Sequence, residues 1–347
     1  MTLPVLRRLV ASPQAGLVMV VLLLGAVLTA FAGTHPDRVT GLPVNNFLNS
    51  HTLLQTATDA SFFAIMAVGA TVVIISGGID LSVGSIYALA GVTTALVLRA
   101  RGVEQGGPGT VLLAIALCLG VGLLCGLVNG ALVVGLRVHP FIITLGTMWV
   151  LRGIAFVASK AESILLPSAL TALAKATFGL GAALYPVPLL AMLLTAVCGA
   201  VYLERTVMGR HVFAVGGNAE ASRFSGLRLG RIQIGVFALS GLTAGLAAFL
   251  GAGYYGSASC ADATGYELYV IASAVVGGAS LSGGKGSAMS AMLGALLIVL
   301  IRQSIRTLRL DQNYEWIIIG CAIIVAVVLD QSNARLTARR LARQARA

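Results

Sequence analysis

Charge is scarce in this chain: Asp and Glu number 12 in 347 residues, and charged residues make up 10% against 58% hydrophobic. A water-facing globular surface needs far more charge, so a soluble domain is excluded. Aromatics are also few, at 6%, and none interleaves with the basic runs. The net charge of +11 therefore reads as membrane orientation and not as nucleic-acid binding. Five cysteines and four histidines show no metal or redox spacing, and no metal site is expected. Cys118, Cys125, Cys198 and Cys321 fall inside apolar runs, Cys260 stands alone in a loop, and His35, His51, His139 and His211 lie in loops or at run ends. The phosphate-cradling pattern G-x-x-x-x-G-K-[ST] is missing as well. Gly283-Gly284-Lys285-Gly286-Ser287 has part of the string without the first glycine at its spacing, so nothing here is expected to hydrolyse ATP.

What is present is a series of apolar runs near the ~20 residues that a membrane-crossing helix requires. Ten are read: Ala15–Ala32, Ala60–Ser76, Ser85–Leu98, Thr110–Leu136, Phe141–Ala158, Pro186–Leu203, Ile232–Gly253, Glu267–Leu281, Ser287–Ile305 and Tyr314–Leu329. The fold class is thus all-α, a polytopic membrane protein, with residues 1–347 forming a single membrane domain. The third and eighth runs are short and abut glycine breaks, so either can be a half-helix or a re-entrant segment. With both termini in the cytoplasm, fourteen basic residues fall inside: Arg7, Arg8, Arg137, Arg205, Arg210, Arg223, Arg228, Arg231, Lys285, Arg335, Arg339, Arg340, Arg343 and Arg346. Eight fall outside: Arg38, Arg99, Arg101, Lys160, Lys175, Arg302, Arg306 and Arg309. The excess favours this orientation, with residues 1–14 as an inner tail, 204–231 as a long inner loop and 331–347 as a basic inner tail. Arg7 and Arg8 before a run ending Ala30-Phe31-Ala32-Gly33 fit either a retained first span or a cleaved leader.

The break Gly77-Gly78-Ile79-Asp80-Leu81-Ser82-Val83-Gly84-Ser85 puts an acid between two apolar runs. An intramembrane carboxylate is costly and marks a functional path by default, and interrupted helices are where transporters place their sites. Asp80 can accept hydrogen bonds from amides freed at the glycine pair, or cap with Ser82 a helix starting near Ser85. The pattern is echoed at Gly277-Gly278-Ala279-Ser280-Leu281-Ser282-Gly283-Gly284. Both breaks lie toward the same side after spans running the same way, a parallel repeat if it is one and a coincidence of glycines if it is not. Candidate path residues are Gly77, Gly78, Asp80, Ser82, Asn129, Gly277, Gly278 and Ser282. Asn129 can also be read as an interhelical hydrogen bond. Arg152, in the middle of the fifth span, can snorkel, line a wet cavity or pair with a carboxylate such as Asp80. Gly122, Gly126 and Gly130 share one helix face, as do Gly241 and Gly245, which reads as close helix packing.

In the loop before the seventh span, Asn218 can cap a short helix from Ala219, with Glu220 in its first turn and Gly226 ending it. A short rigid helix outside the membrane suits docking to a soluble partner, and resting on headgroups is the other reading. Gly77–Ser85, the loop Gly209–Gly226 with the following Phe237–Gly245, and Gly277–Gly286, in that order, resemble the permease subunit of bacterial ABC importers for monosaccharides, the ribose, xylose, arabinose and galactofuranose class. The resemblance covers about Asn46 to Leu329. It implies paired permeases, as two copies or two homologues, in the bacterial inner membrane. It also implies two cytoplasmic ATPase partners that hold ATP and Mg, and a periplasmic sugar-binding protein that delivers the substrate. Gly216, Gly217, Asn218, Glu220, Ala221 and Arg223 would then form the coupling segment that meets the ATPase. The chain itself would carry no cofactor and catalyse nothing. Alternatives are a permease for another small solute, such as a nucleoside or branched-chain amino acid, a proton-coupled transporter that titrates Asp80, and a membrane enzyme, for which no partner group accompanies Asp80.

Overall fold

The computed structural model describes residues 13–36, 41–178, 185–322, 324, 325 and 328; of the inner tails expected at 1–14 and 331–347, residues 1–12 and 331–347 lie outside them. In chain order the elements are α1 (Pro13–Phe31), β1 (Thr34–Pro36), β2 (Pro43–Asn45), α2 (Ser50–Ile75), α3 (Val83–Ala100), α4 (Pro108–Leu136), α5 (Pro140–Ser159) and β3 (Ile164–Leu165). There follow α6 (Ser168–Ala174), α7 (Pro186–Arg205), α8 (Val207–Gly217), α9 (Ala219–Phe224), α10 (Leu229–Tyr255), β4 (Ser257–Ala258), α11 (Tyr266–Val276) and α12 (Ala288–Thr307). The strands form two small antiparallel pairs, β1 with β2 and β3 with β4. Among the described residues, eight helices are long and apolar enough to cross a membrane: α1, α2, α3, α4, α5, α7, α10 and α12. The expected tenth span begins as helix over 314–322, and the rest of it lies largely outside the described residues.

Of the two short runs, the third is a full helix of 18 residues and the eighth is the half-helix. With 11 residues, α11 rises ~16 Å, about half the ~30 Å hydrocarbon layer. The second span begins at Ser50 and not at Ala60. Asn49 caps it, accepting from the Thr52 backbone N–H at 2.8 Å, and its first turns are too polar for a hydropathy reading. Burial explains why the polar turns stay helical, since Thr56 and Thr58 pack inside the bundle.

The helix α2 is the mast of the fold, with every residue from Ala60 to Ile75 buried and with α7, α10, α11 and α12 around it. Against α10 lies α4, and the two glycine faces interlock. A Cβ on Gly122 or Gly126 would strike the α10 backbone at Gly241 or Phe237, and one on Gly245 would strike Cys118. Small residues here let backbones touch where no water-driven force brings helices together. The outward faces of α1, α4, α5 and α7 expose Leu22, Leu124, Trp149, Val157 and Leu194, an apolar girdle of the kind that faces lipid.

Candidate functional site

Asp80 sits at the meeting point of four helices, 2% exposed. Its Oδ1 accepts from the Ser82 backbone N–H at 2.9 Å and from the Ser82 hydroxyl at 2.6 Å, and its Oδ2 accepts from the Ser240 hydroxyl of α10 at 2.8 Å. Asn129 of α4 donates from Nδ2 to Ser82 Oγ at 2.8 Å, so the interhelical reading of Asn129 is the observed one. Thr144 of α5 donates to the Ile79 carbonyl at 3.0 Å. The acid is therefore sequestered in a protein-only network that ties α4, α5 and α10 to the break before α3. Ser240 and Thr144 were not marked by the sequence, because each reaches the break from a distant span.

Two expectations about Asp80 are corrected. The amides of the glycine pair do not bond it: Gly77 N–H returns to Ile74 O at 2.9 Å and Gly78 N–H to Val73 O at 3.0 Å, which closes α2 on itself around Gly77 at φ +87°. The helix after the break starts at Val83, close to the expected Ser85, but the Ser82 side chain does not cap it. Nor does Arg152 reach Asp80. Its guanidinium holds three carbonyls of the loop after β4, Cys260 O at 2.7 Å, Asp262 O at 2.6 Å and Ala263 O at 3.3 Å. An arginine inside the membrane here serves as a clamp on irregular backbone, whose carbonyls have no ladder partners at that depth.

The second break has the same local geometry, one residue out of step with the sequence match. Gly278 N–H bonds Val275 O at 2.8 Å and Ala279 N–H bonds Ala274 O at 3.0 Å, with Gly278 at φ +94°. Gly77 is thus matched by Gly278, and Gly78 by Ala279. Gly277 is the last α-like position, pressed on the Ser290 backbone of α12. Both parent helices end at the same face, since Gly284 N–H donates to Ile75 O at 2.8 Å, so the parallel sense of the repeat is observed. Ser282 lies exposed on the connecting turn.

Onto this joint comes the loop 206–228. The sequence anticipated one short helix there and missed α8, which starts from a Thr206 cap, with its hydroxyl accepting from Gly209 N–H at 3.0 Å. The C-terminal Gly216 of α8 lies so close that a Cβ would overlap the Ile75 carbonyl oxygen, and the backbones of Gly283 and Gly284 pack on Gly216 and Gly217. Asn218 caps α9 as expected, accepting from Ala221 N–H at 2.9 Å, and Gly226 follows at φ +84°. Along α9, Glu220, Ala221 and Arg223 are exposed, and so is Phe224, 83% open. Sequence reading did not mark this open phenylalanine on a short polar helix. Beside it a cleft of about 680 Å³ is lined by Arg137, His139, Arg223, Leu227 and Gln233.

Among the described residues no group of His, Cys, Asp and Glu could hold a metal ion. Residues 52–327 match the family described as branched-chain amino acid transport system, permease component. The chain is 36% identical to the ribose import permease protein of Escherichia coli (strain K12) over 286 residues, 82% of this chain and 87% of that one. It is 35% identical to the D-allose transport system permease protein of the same organism, covering 82% and 85% of the two chains. It is 33% identical to the fructose import permease protein of Rhizobium meliloti, covering 82% and 79%. No solved structure matches.

Proposed function

This chain belongs to the family of permease components typified by branched-chain amino acid transport systems, and from that premise we propose that it is the membrane subunit of an ATP-driven importer of a monosaccharide. Sugar is preferred to amino acid because relatives matched along four fifths of the chain import ribose, allose and fructose. The observation that carries the ATP-driven reading is α9, a capped, exposed helix seated through Gly216 on the carbonyl end of α2. A partner that pushes on α9 pushes on the mast of the fold.

In this reading the partner is a cytoplasmic ATPase that holds ATP and Mg, engaged by Gly216, Gly217, Asn218, Glu220, Ala221 and Arg223, with Phe224 as the buried anchor of the contact. A second permease, identical or homologous, completes the path, and a periplasmic binding protein delivers the sugar at the opposite end. The chain lies in the inner membrane with the loop 206–228 and both termini inside. Closure of the ATPases shifts the two breaks, and the cavity opens alternately to either side. Gly77, Gly78, Asp80, Ser82, Asn129, Gly277, Gly278 and Ser282 form the inner floor of the path. Within it Asp80, Ser82 and Asn129 hold helices together and do not touch sugar. Proton coupling through Asp80 is disfavoured, because its oxygens are occupied by Ser82 and Ser240 and the side chain is buried.

Reconstituted alone in liposomes, the chain is expected to show neither ATPase activity nor concentrative uptake. Together with its ATPase and binding protein it is expected to accumulate at least one monosaccharide against its gradient. Uphill uptake by the chain alone, driven by a proton gradient, would overturn the reading.

A further inference from the structure

At the end of the bundle opposite α9, a cleft of about 260 Å³ opens between α11, α12 and the turn before residue 314. Its size is below the ~300–1,000 Å³ of pockets for drug-sized ligands and suits one small ring. Three of its walls are aromatic, Tyr266, Tyr269 and Trp316, with Tyr269 and Trp316 centroids 6.3 Å apart at 53°. Its polar groups are Arg302, Glu315, Gln312, Asn313 and Thr264. The guanidinium of Arg302 is layered between Phe63 and Tyr269, 5.3 Å and 5.0 Å from their centroids. Arg302 Nε lies 2.7 Å from Glu315 Oε1 but without the alignment of a hydrogen bond, so charge alone pairs them. The same Oε1 accepts the Tyr269 hydroxyl.

This arrangement differs from the Asp80 network in what it leaves over. Glu315 Oε2 accepts no hydrogen bond among the described residues, and Arg302 has five donors of which Glu315 and the neighbouring Tyr266 hydroxyl engage at most two. A guanidinium and a carboxylate with spare donors and acceptors read adjacent hydroxyls, while aromatic faces cover the C–H faces of a sugar ring. The exposed turn with Gln312 and Asn313 forms the mouth. A charged pair this buried, with side chains 19% and 15% exposed, is costly unless function needs it. We propose that this cleft is a low-affinity receiving site for a single monosaccharide ring, where sugar first contacts the permease; the inference rests on the sugar-import reading above.

The test uses the whole permease in lipid nanodiscs with Trp149→Phe, which leaves Trp316 as the remaining one of two tryptophans. D-ribose, D-allose and D-fructose are titrated to millimolar levels, with L-leucine as the control. At least one sugar is expected to give a saturable change in Trp316 fluorescence, and L-leucine none. Arg302→Gln and Glu315→Gln are each expected to weaken that binding about tenfold or more, the loss of one charged hydrogen bond. Asn313→Ala, on the exposed rim, is expected to weaken it less at unchanged yield, and it serves should the ion-pair variants not fold. A saturable sugar signal that all three variants leave intact overturns the inference. Absence of sugar binding also overturns it, and leaves the functional reading standing if the assembled transporter imports one of these sugars. If L-leucine binds instead and the assembled transporter imports it and no monosaccharide, both fall together.

Discussion

Asp80 and Arg152 are the two charges that a bilayer forbids most strongly, and each is held by a different set of hydrogen-bond partners. Asp80 is bound by hydroxyls and one amide, Arg152 by loop carbonyls. Replacing Asp80 by Asn keeps one acceptor toward Ser82 and a group that Ser240 can meet by rotating its hydroxyl. Uptake by the assembled transporter is therefore expected to fall modestly at near-normal yield. Asp80→Leu unpairs the Ser82 amide and hydroxyl and the Ser240 hydroxyl, at about 1–3 kcal/mol for each buried group left unsatisfied, and is expected to lower assembled yield as well. Measuring uptake and yield for both variants separates them; abolished uptake at full yield in Asp80→Asn, with loss of pH dependence, would instead mark a titrating group. At this scale the sequence revealed the acid but not its partners. Ser240 is 160 positions away and Thr144 is 65 from Ile79, and a serine or threonine in a span carries no mark of what it faces.

Among the elements, the joint of α2, α8 and the 277–287 turn is where glycine is required by contact and not by propensity. Gly216 and Gly217 are neighbours with opposite surroundings: a Cβ on the first overlaps backbone on two sides, while one on the second meets nothing within 4 Å. Gly216→Ala is thus expected to destabilise the permease by about 1–3 kcal/mol, the range for overpacking a filled site, and to uncouple uptake from ATP hydrolysis. Gly217→Ala should be as stable as wild type. Thermal denaturation of the two proteins with ATPase and uptake assays checks this, and equal behaviour would place the joint elsewhere. The start of α9 was readable from its Asn218 cap, whereas the Thr206 and Asn49 caps were passed over. The half-helix was half-readable, because a short run beside glycines signals a break without saying which of two breaks is shallow. The repeat was read one residue out of register because the glycine pairs match in sequence, whereas the geometry matches Gly77 to Gly278.

Across the whole molecule, α2 joins the two ends: Ile75 receives α8 and the 277–287 turn, while Phe63, Asp59 and Gln55 face the aromatic and charged groups of the other end. There Arg306 lies 3.8 Å from Asp59, and Tyr254 donates to Gln55 at 2.9 Å. The overall class was legible because apolar length and charge placement are properties of composition, which no tertiary contact overrides. The far-end cleft was not legible, since its walls come from separate spans and only packing brings them together. One measurement tests both ends at once. With the five native cysteines replaced, Phe224→Cys and Asn313→Cys place single thiols on exposed positions at opposite ends. A membrane-impermeant thiol reagent is expected to label Asn313→Cys in right-side-out vesicles and Phe224→Cys only in inverted ones, as the positive-inside placement of the 204–231 loop requires. Bound ATPase should protect Phe224→Cys in inverted vesicles and leave Asn313→Cys unaffected in right-side-out ones. Labelling of both from one side would refute the two-ended arrangement, and labelling of Phe224→Cys undiminished by the ATPase would remove α9 from the contact.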